Sequence, residues 1–133
     1  MTMENRERAK EPEDLSRFFL ERANAGDVEG VVALYETHAV LANPPGRVTV
    51  GIEAIRGVYE QLLATRPAFI GDVLPAIRVG DLALTSAQFA TTAAGPGGSI
   101  TVRAASAEVA RRQLDGTWLW MIDQPNVVPR DRT

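Results

Sequence analysis

Cysteine is absent from the 133-residue chain, and histidine occurs once, as His38. The lack of cysteine excludes disulfides and thiol chemistry, and a single histidine argues against a zinc site of the usual type. No apolar run approaches the roughly 20 residues that a membrane-spanning helix needs. With a net charge of −3 and no basic stripe, nucleic-acid binding is not expected either. We therefore expect no metal, no cofactor, no membrane and no nucleic acid.

Apolar residues make up 45% of the chain, which suits one globular domain with a buried core. Residues 1–12 are rich in charge and predict a flexible, frayed arm. Residues 13–126 form the predicted single domain, and residues 127–133 a C-terminal tail. The charged arm contains no apolar signal segment, so a cytoplasmic location is expected.

Helix signals dominate the first half of the domain. Pro12 suits the first position of a helix, and Gly26 is placed to end that helix in a left-handed turn. Asp27 is a good cap for a second helix, whose apolar stripe extends to Tyr35. Gly51 opens a third helix with an apolar face. His38, between the second helix and a short apolar strand, is expected to be a solvated surface residue.

Strand signals dominate the second half. Gly-Asp and Asp-Gly pairs at 80–81 and 115–116 are typical of two-residue hairpin loops. Pro75 cannot donate to a ladder and predicts an edge position or a bulge. The predicted strands are Phe69–Val79, Leu82–Ala94, Ile100–Leu114 and Thr117–Gln124. Helices followed by an antiparallel meander indicate an α+β fold, with the helices packed on one face of a curved sheet.

The last hairpin brings two acids together. A two-residue loop at 115–116 places Glu108 opposite Asp123, with Cβ atoms about 5 Å apart on the face toward the helices. Burial and mutual repulsion would raise the pKa of one carboxyl, which suits general acid–base chemistry. Two alternatives stay open: a bulge separates the acids, or both reach solvent at the strand ends.

The same register makes the last strand apolar on both faces. It turns Leu119 and Met121 toward the helices and Trp118, Trp120 and Ile122 outward. Large outward aromatics predict a homodimer through the outer face of the sheet. The alternative is a partly exposed tryptophan pair with no partner.

Three segments resemble ketosteroid-isomerase-like and SnoaL-like proteins of the nuclear-transport-factor-two-like superfamily. They are FLERANAGDVEGVVALYETHAVLANPPG, GIEAIRGVYEQL and LDGTWLWMIDQPN, and the resemblance spans about residues 13–126. It implies a cone of three helices over a strongly curved, mixed or antiparallel sheet that encloses an apolar pocket. It also implies dimers through the outer sheet face. The superfamily includes isomerases, epoxide hydrolases, cyclases, dehydratases and non-enzymatic domains, so it does not identify a substrate.

The resemblance also suggests site residues. The isomerase base falls on Asn43, whose amide cannot take up a proton, and the isomerase tyrosine falls on Phe19. The isomerases also have a second acid, which donates a hydrogen bond to the oxyanion. Of the three groups only this acid is retained, as Glu108. Steroid isomerisation by the family mechanism is therefore not expected. Asn43 either lines the pocket or closes the turn before Pro44 through its side chain.

Further lining groups are expected at Phe19, Tyr59, Gln88 and Met121, although aromatics at helical spacing also suit a plain core. The leading hypothesis is a pocket protein for a small, largely apolar molecule, with acid–base chemistry through Glu108 and Asp123. A second is an isomerase, lyase or cyclase acting on a carbonyl-containing, steroid- or polyketide-like substrate. A third is a non-catalytic dimerisation module whose cavity is filled by its own side chains.

Overall fold

The computed structural model describes residues 6–127 and 131–132. These residues form three helices and eight strands in the order α1 (Glu13–Asn24), α2 (Val28–Val32), β1 (Tyr35–Leu41), β2 (Thr49–Val50), α3 (Ile52–Ala64), β3 (Ala68–Val73), β4 (Ile77–Val79), β5 (Leu82–Gly95), β6 (Gly98–Arg112), β7 (Trp118–Gln124) and β8 (Asp131–Arg132). Within this part of the chain, each helix is too short or too polar to cross a bilayer.

The strands form one mixed sheet in the order β2-β1-β7-β6-β5-β3, with β4 paired to β5 and β8 to β6. β1 runs parallel to β7, and the other pairs are antiparallel. The helices α1 and α3 pack on one face of this curved sheet, so the predicted α+β class is confirmed. The predicted strand at 69–79 is interrupted around Pro75, where edge strands β3 and β4 meet.

Side chains at the helix ends connect the helices to the sheet. Asn24, the last residue of α1, donates to the Phe69 carbonyl and accepts from the Phe69 amide. Asp27 caps α2 by accepting from the Gly30 amide at 3.0 Å.

The second helix is shorter than predicted. It ends at Val32, and Tyr35 begins β1 because the Leu34 carbonyl accepts the Trp120 amide at 2.8 Å.

The prediction of a frayed N-terminal arm is wrong for residues 6–12. Ala9 is buried, and its carbonyl accepts the Trp118 amide at 2.9 Å. Arg6 forms a two-point ion pair with Asp27. Residues 1–5 lie outside the described part of the chain.

The last hairpin differs from its predicted register next to the turn. The Gly116 amide donates to the Gln113 carbonyl, and Ala110 pairs with Trp120 instead of Met121. The pairing then shifts at a bulge that contains Met121, so that Glu108 still faces Asp123. The predicted pair is therefore correct although the predicted turn is not.

The shift reverses the faces of the aromatic residues. Trp118 and Trp120 lie on the inner face and are 1% and 2% exposed, so their predicted outward orientation is wrong. Leu119 pairs with the exposed Arg111 on the outer side, which also corrects its predicted inward orientation. Ile122 lies outward as predicted and is 46% exposed.

We predict that Asp27→Ala lowers the free energy of unfolding by about 1–2 kcal/mol, because it removes the α2 cap and the partner of Arg6. Asp27→Asn keeps an oxygen for the cap and should lose less than half of that amount. Urea unfolding monitored by tryptophan fluorescence measures both values. Equal losses in the two variants would contradict the capping role.

Candidate functional site

A cavity of about 360 Å³ lies between the helices α1 and α3 and the inner face of the sheet. Most of its wall is apolar, with large side chains from Phe19, Leu20, Leu62, Phe69, Phe89 and Trp120. Polar groups reach it from Ser16, Asn43, Tyr59, Thr91, Ser106, Glu108, Asp123 and Asn126.

The cavity is left open where β5 and β6 present small side chains toward the helices. Alternate residues of β6 face inward, so Ala104 and Ser106 line the cavity before Glu108 does. Ala87 lies opposite Ser106 on β5 and is also small. Phe19 of α1 packs edge-on against Phe69, with 5.5 Å between the ring centroids. The helix therefore covers the cavity, and the small residues of the sheet do not fill the space beneath it.

The acid pair lies in this wall. Glu108 and Asp123 are direct partners across β6 and β7, and each is only 4% exposed. Thr85 Oγ1 donates to Glu108 Oε1 at 2.6 Å and itself accepts from Trp120 Nε1 at 3.1 Å. Glu108 Oε1 thus has a hydroxyl donor that is itself held by the Trp120 indole.

Asp123 has a different set of partners. The Tyr35 hydroxyl donates to Asp123 Oδ2 at 2.5 Å, and the Tyr35 and Tyr59 oxygens are 2.7 Å apart. Tyr59 lines the cavity, whereas Tyr35 lies behind it, between Tyr59 and Asp123. Sequence reasoning missed Tyr35 because its apolar stripe was assigned to α2. The strand-forming run YETHAVL was the signal that could have placed it on β1.

Burial is the largest cause of the pKa shifts of the two acids and the two tyrosines. It raises the pKa of Asp123 to about 8, the charge on Glu108 adds to the rise, and the Tyr35 hydroxyl opposes it. Burial also raises the pKa of Glu108, against hydroxyls of Ser106 and Thr85 that stabilise its charged form. Burial and the repulsion between the two carboxyls therefore favour a single proton on the pair near neutral pH. Burial raises the pKa of Tyr35 and of Tyr59 well above the ordinary value, so both hydroxyls stay protonated.

Five of the seven predicted site residues line this one cavity: Phe19, Asn43, Tyr59, Glu108 and Asp123. Gln88 does not, because it lies on the outer face of β5 between the lining residues Ala87 and Phe89. Met121 does not either, because the bulge displaces it from the inner face. His38 is exposed, as predicted.

Asn43 contributes its side chain to the cavity wall. The turn after it is closed by the backbone bond from Arg47 N to Pro44 O at 3.0 Å. Thr49 Oγ1 also donates to the Asn43 carbonyl at 2.6 Å. Of the two expected roles, pocket lining is the one the geometry supports. Asn126 and Ser106 are further polar lining groups that sequence reasoning missed.

Metal binding is not suggested by the arrangement of these groups. Within residues 6–127 and 131–132, no three His, Asp or Glu side chains are grouped to hold an ion.

We predict that the acid pair makes the protein less stable as the pH rises. Asp123 has a higher pKa in the folded than in the unfolded chain, so its stabilising contribution is full below the unfolded pKa near 4 and is lost as the pH approaches 8. Asp123→Asn should remove this loss. Between pH 6 and pH 8, the wild type should lose roughly 1–2 kcal/mol more unfolding free energy than the variant.

Urea unfolding at both pH values measures the difference. Asp115→Asn, in the exposed hairpin turn, is the matched control and should follow the wild type, since hydrogen bonds to Thr117 lower the pKa of Asp115. Parallel curves for the wild type and Asp123→Asn would contradict a buried, protonated Asp123.

Comparison with known proteins agrees with this architecture. A family model of the SnoaL-like domain matches residues 16–120. No curated protein sequence shows significant similarity to the chain.

Solved structures share the fold at low sequence identity. A ketosteroid isomerase-like protein from Erwinia carotovora atroseptica SCRI1043 is 18% identical over 88% of this chain and 94% of that one, with a TM-score of 0.73. A domain of unknown function with a cystatin-like fold from Nostoc punctiforme PCC 73102 is 18% identical over 88% of this chain and 75% of that one, with a TM-score of 0.74. A Streptomyces avermitilis protein of the NTF2-like family is 18% identical over 86% of this chain and 93% of that one, with a TM-score of 0.71.

At these identities the likeness concerns the fold, and it confirms the cone-shaped architecture expected from the sequence. The family match covers most of the domain. The chain belongs to the SnoaL-like domain family.

Proposed function

We propose that the protein binds a small, largely apolar molecule in the cavity and moves a proton on it through Glu108 and Asp123. The observation that carries this proposal is the pair of facing carboxyls in the wall of an apolar cavity. Two buried carboxyls without a cation destabilise a fold, and such arrangements cluster at functional sites. An ionised Glu108 suits a general base, and a protonated Asp123 suits a general acid.

The shape of the cavity supports an elongated ligand with one polar end. The lining residues of β6 run from Glu108 to Ile100, roughly 25 Å of strand at about 3.3 Å per residue. Beyond Ser106, this stretch of the wall is apolar, with Ala104, Val102 and Ile100. The polar groups Asn43 and Asn126 lie toward the acid end.

Carbonyl chemistry fits this arrangement best. Glu108 would remove a proton from the carbon beside a carbonyl while the acid side of the pair protonates the carbonyl oxygen. The reaction class is therefore an isomerase, lyase or cyclase acting on a steroid- or polyketide-like substrate. The isomerase base position is occupied by Asn43, so the base here is assigned to Glu108. The open cavity speaks against the third hypothesis, in which side chains fill it.

We predict that the protein binds 2-acetonaphthone, an apolar aryl methyl ketone, and accelerates exchange of its methyl protons in D₂O. Glu108→Gln and Asp123→Asn should each slow the exchange by roughly 10²-fold or more, because each removes one partner of the proton transfer. Proton NMR measures the exchange, and calorimetry measures the dissociation constant.

Asp115→Asn is the control, because it removes a surface carboxylate and should leave both values unchanged. Exchange that survives in both Glu108→Gln and Asp123→Asn would contradict the proposed roles.

We further propose a homodimer through the outer face of the sheet. The argument is a row of exposed aliphatic side chains, since the tryptophans lie on the inner face. An apolar row of directly paired residues crosses six strands: Ile77, Leu84, Val109, Ile122, Val40 and Val50. Four of them are exposed, at 71% for Ile77, 45% for Leu84, 46% for Ile122 and 63% for Val50. A continuous apolar row of this kind is typical of an interface.

We predict that Ile122→Glu, in the middle of this row, converts a dimer to a monomer at micromolar concentration, since it places a charge at the centre of the interface. Native mass spectrometry measures the mass. Leu114→Glu, in the exposed hairpin turn, is the matched control and should stay dimeric. A wild-type monomer at micromolar concentration would refute the dimer.

A further inference from the structure

Three oxygen atoms form a chain beside the cavity. The Tyr59 and Tyr35 hydroxyls are 2.7 Å apart, and Tyr35 is 2.5 Å from Asp123 Oδ2. Tyr59 and Asp123 both line the cavity, whereas Tyr35 does not. Tyr35 therefore connects two groups that can each contact a ligand.

Two arrangements of the hydrogen atoms in this chain differ in what Tyr59 offers to the cavity, because each tyrosine hydroxyl has one hydrogen. If Asp123 is ionised, Tyr35 donates to Asp123 and Tyr59 donates to Tyr35. Tyr59 then offers only lone pairs to the cavity. If Asp123 is protonated at Oδ2, its O–H donates to Tyr35, and Tyr35 donates to Tyr59. The Tyr59 hydrogen is then free to donate to a ligand.

Phe19 leaves Tyr59 available to the ligand. Its ring lies edge-on to Tyr59 with 6.0 Å between centroids, and it has no hydroxyl to occupy the Tyr59 oxygen. The titratable groups that face Asp123 are Tyr35 from β1, Tyr59 from α3 and Glu108 from β6.

We propose that Asp123, Tyr35 and Tyr59 form a relay that passes a proton from Asp123 to a ligand oxygen beside Tyr59; this inference rests on the proposed function. Tyr59 is then the group that contacts the ligand oxygen, and Tyr35 is a positioning residue that acts through its neighbours.

The proton transfers balance in a single sequence. Glu108 takes a proton from the carbon beside the ligand carbonyl, the C–H electron pair forms a C=C bond, and the carbonyl π pair moves to oxygen. That oxygen takes the Tyr59 hydrogen, Tyr59 takes the Tyr35 hydrogen, and Tyr35 takes the hydrogen of Asp123. The products are a neutral enol, a protonated Glu108 and an ionised Asp123.

The charge of the pair is the same before and after this sequence. One proton is shared by the two acids at the start, on Asp123, and one at the end, on Glu108. No additional charge is created in an apolar cavity, where an uncompensated charge is costly. The relay therefore explains why the site holds two acids and no cation among its lining residues.

The first test needs no ligand. Carbon-13 NMR of the Asp123 carboxyl, identified by its loss in Asp123→Asn, gives the midpoint of its titration. The midpoint should rise in Tyr35→Phe, which removes the direct donor. It should rise by a smaller amount in Tyr59→Phe, although Tyr59 does not touch Asp123, because the chain of hydroxyls is shortened.

Thr91→Val is the control, because it removes a hydroxyl from the β5 wall of the same cavity and should not move the midpoint. An unchanged midpoint in Tyr59→Phe would overturn the relay.

The second test uses 2-acetonaphthone with a ¹³C-labelled carbonyl. At pH 6, the infrared band of the bound carbonyl should lie at lower frequency in the wild type than in Tyr59→Phe, because Tyr59 donates to it. At pH 9.5, the wild-type band should return to the Tyr59→Phe position. In Tyr35→Phe, the band should not change with pH. The same pH switch in Tyr35→Phe would overturn the relay.

Kinetics separate the relay from a purely structural role of Tyr35. Tyr35→Phe should slow proton exchange roughly tenfold or more while the dissociation constant changes less than about threefold. Equal exchange rates in Tyr35→Phe and the wild type count against the relay. A ketone that does not bind counts against the proposed function, and the Asp123 midpoints then decide the relay alone.

Discussion

The site depends on two nearly buried carboxyl groups that face each other across β6 and β7. Elsewhere in the described chain, acids pair with arginines at the surface, as Glu36 does with Arg111 and Glu29 with Arg56. Glu108 and Asp123 instead have hydroxyl partners from Thr85 and Tyr35. Hydroxyls stabilise a carboxylate less than a guanidinium does, so the pair keeps a proton rather than a second charge.

The two acids are made unequal by their neighbours. Glu108 accepts from Thr85, whose oxygen in turn accepts from Trp120. The tyrosine chain beside Asp123 can reverse its hydrogen bonds. The hydroxyl partner of Glu108 is held by Trp120, whereas the hydroxyl partner of Asp123 belongs to a chain of hydroxyls. These different surroundings suit different roles for the two acids in acid–base chemistry.

Packing around the pair creates the space for that ligand. Asn24 ties the end of α1 to Phe69, and Phe19 packs against Phe69, so the roof of the cavity stays in place. Small residues such as Ala104 and Ala87 on the sheet keep the space below it open. The large strand residues Phe69, Phe89 and Trp120 form other parts of the wall, so the cavity is left open where β5 and β6 carry small residues.

The fold was predictable because turn residues and helix caps act locally. Asp27 caps α2 as predicted, and the Gly-Asp and Asp-Gly pairs separate strands as predicted. The face of the sheet on which each side chain lies was less predictable, because the alternation of residues along a strand does not reveal a bulge. The observed loop is one residue longer than predicted, and the bulge at Met121 cancelled the error for Asp123 but not for the tryptophans.

Tyr35 and Gln88 show two further limits. Apolar spacing that suits a helix continued into β1, and only the pairing with β7 assigns Tyr35 to the sheet. The face of Gln88 depends on the register of the β5–β6 hairpin, whose glycine-rich turn leaves that register open in the sequence.

This geometry gives one explanation for the residue types at positions 19 and 43. A hydroxyl on Phe19 would compete for the Tyr59 oxygen, and a carboxylate at Asn43 would add a further acid to a cavity whose lining contains no cation. With phenylalanine and asparagine at these two positions, the ionisable groups proposed to act lie on β6, on β7 and in the tyrosine chain. In the proposed mechanism the acid on β7 and the hydroxyl on α3 supply the proton to the ligand oxygen, so the absence of the two isomerase groups is compatible with it.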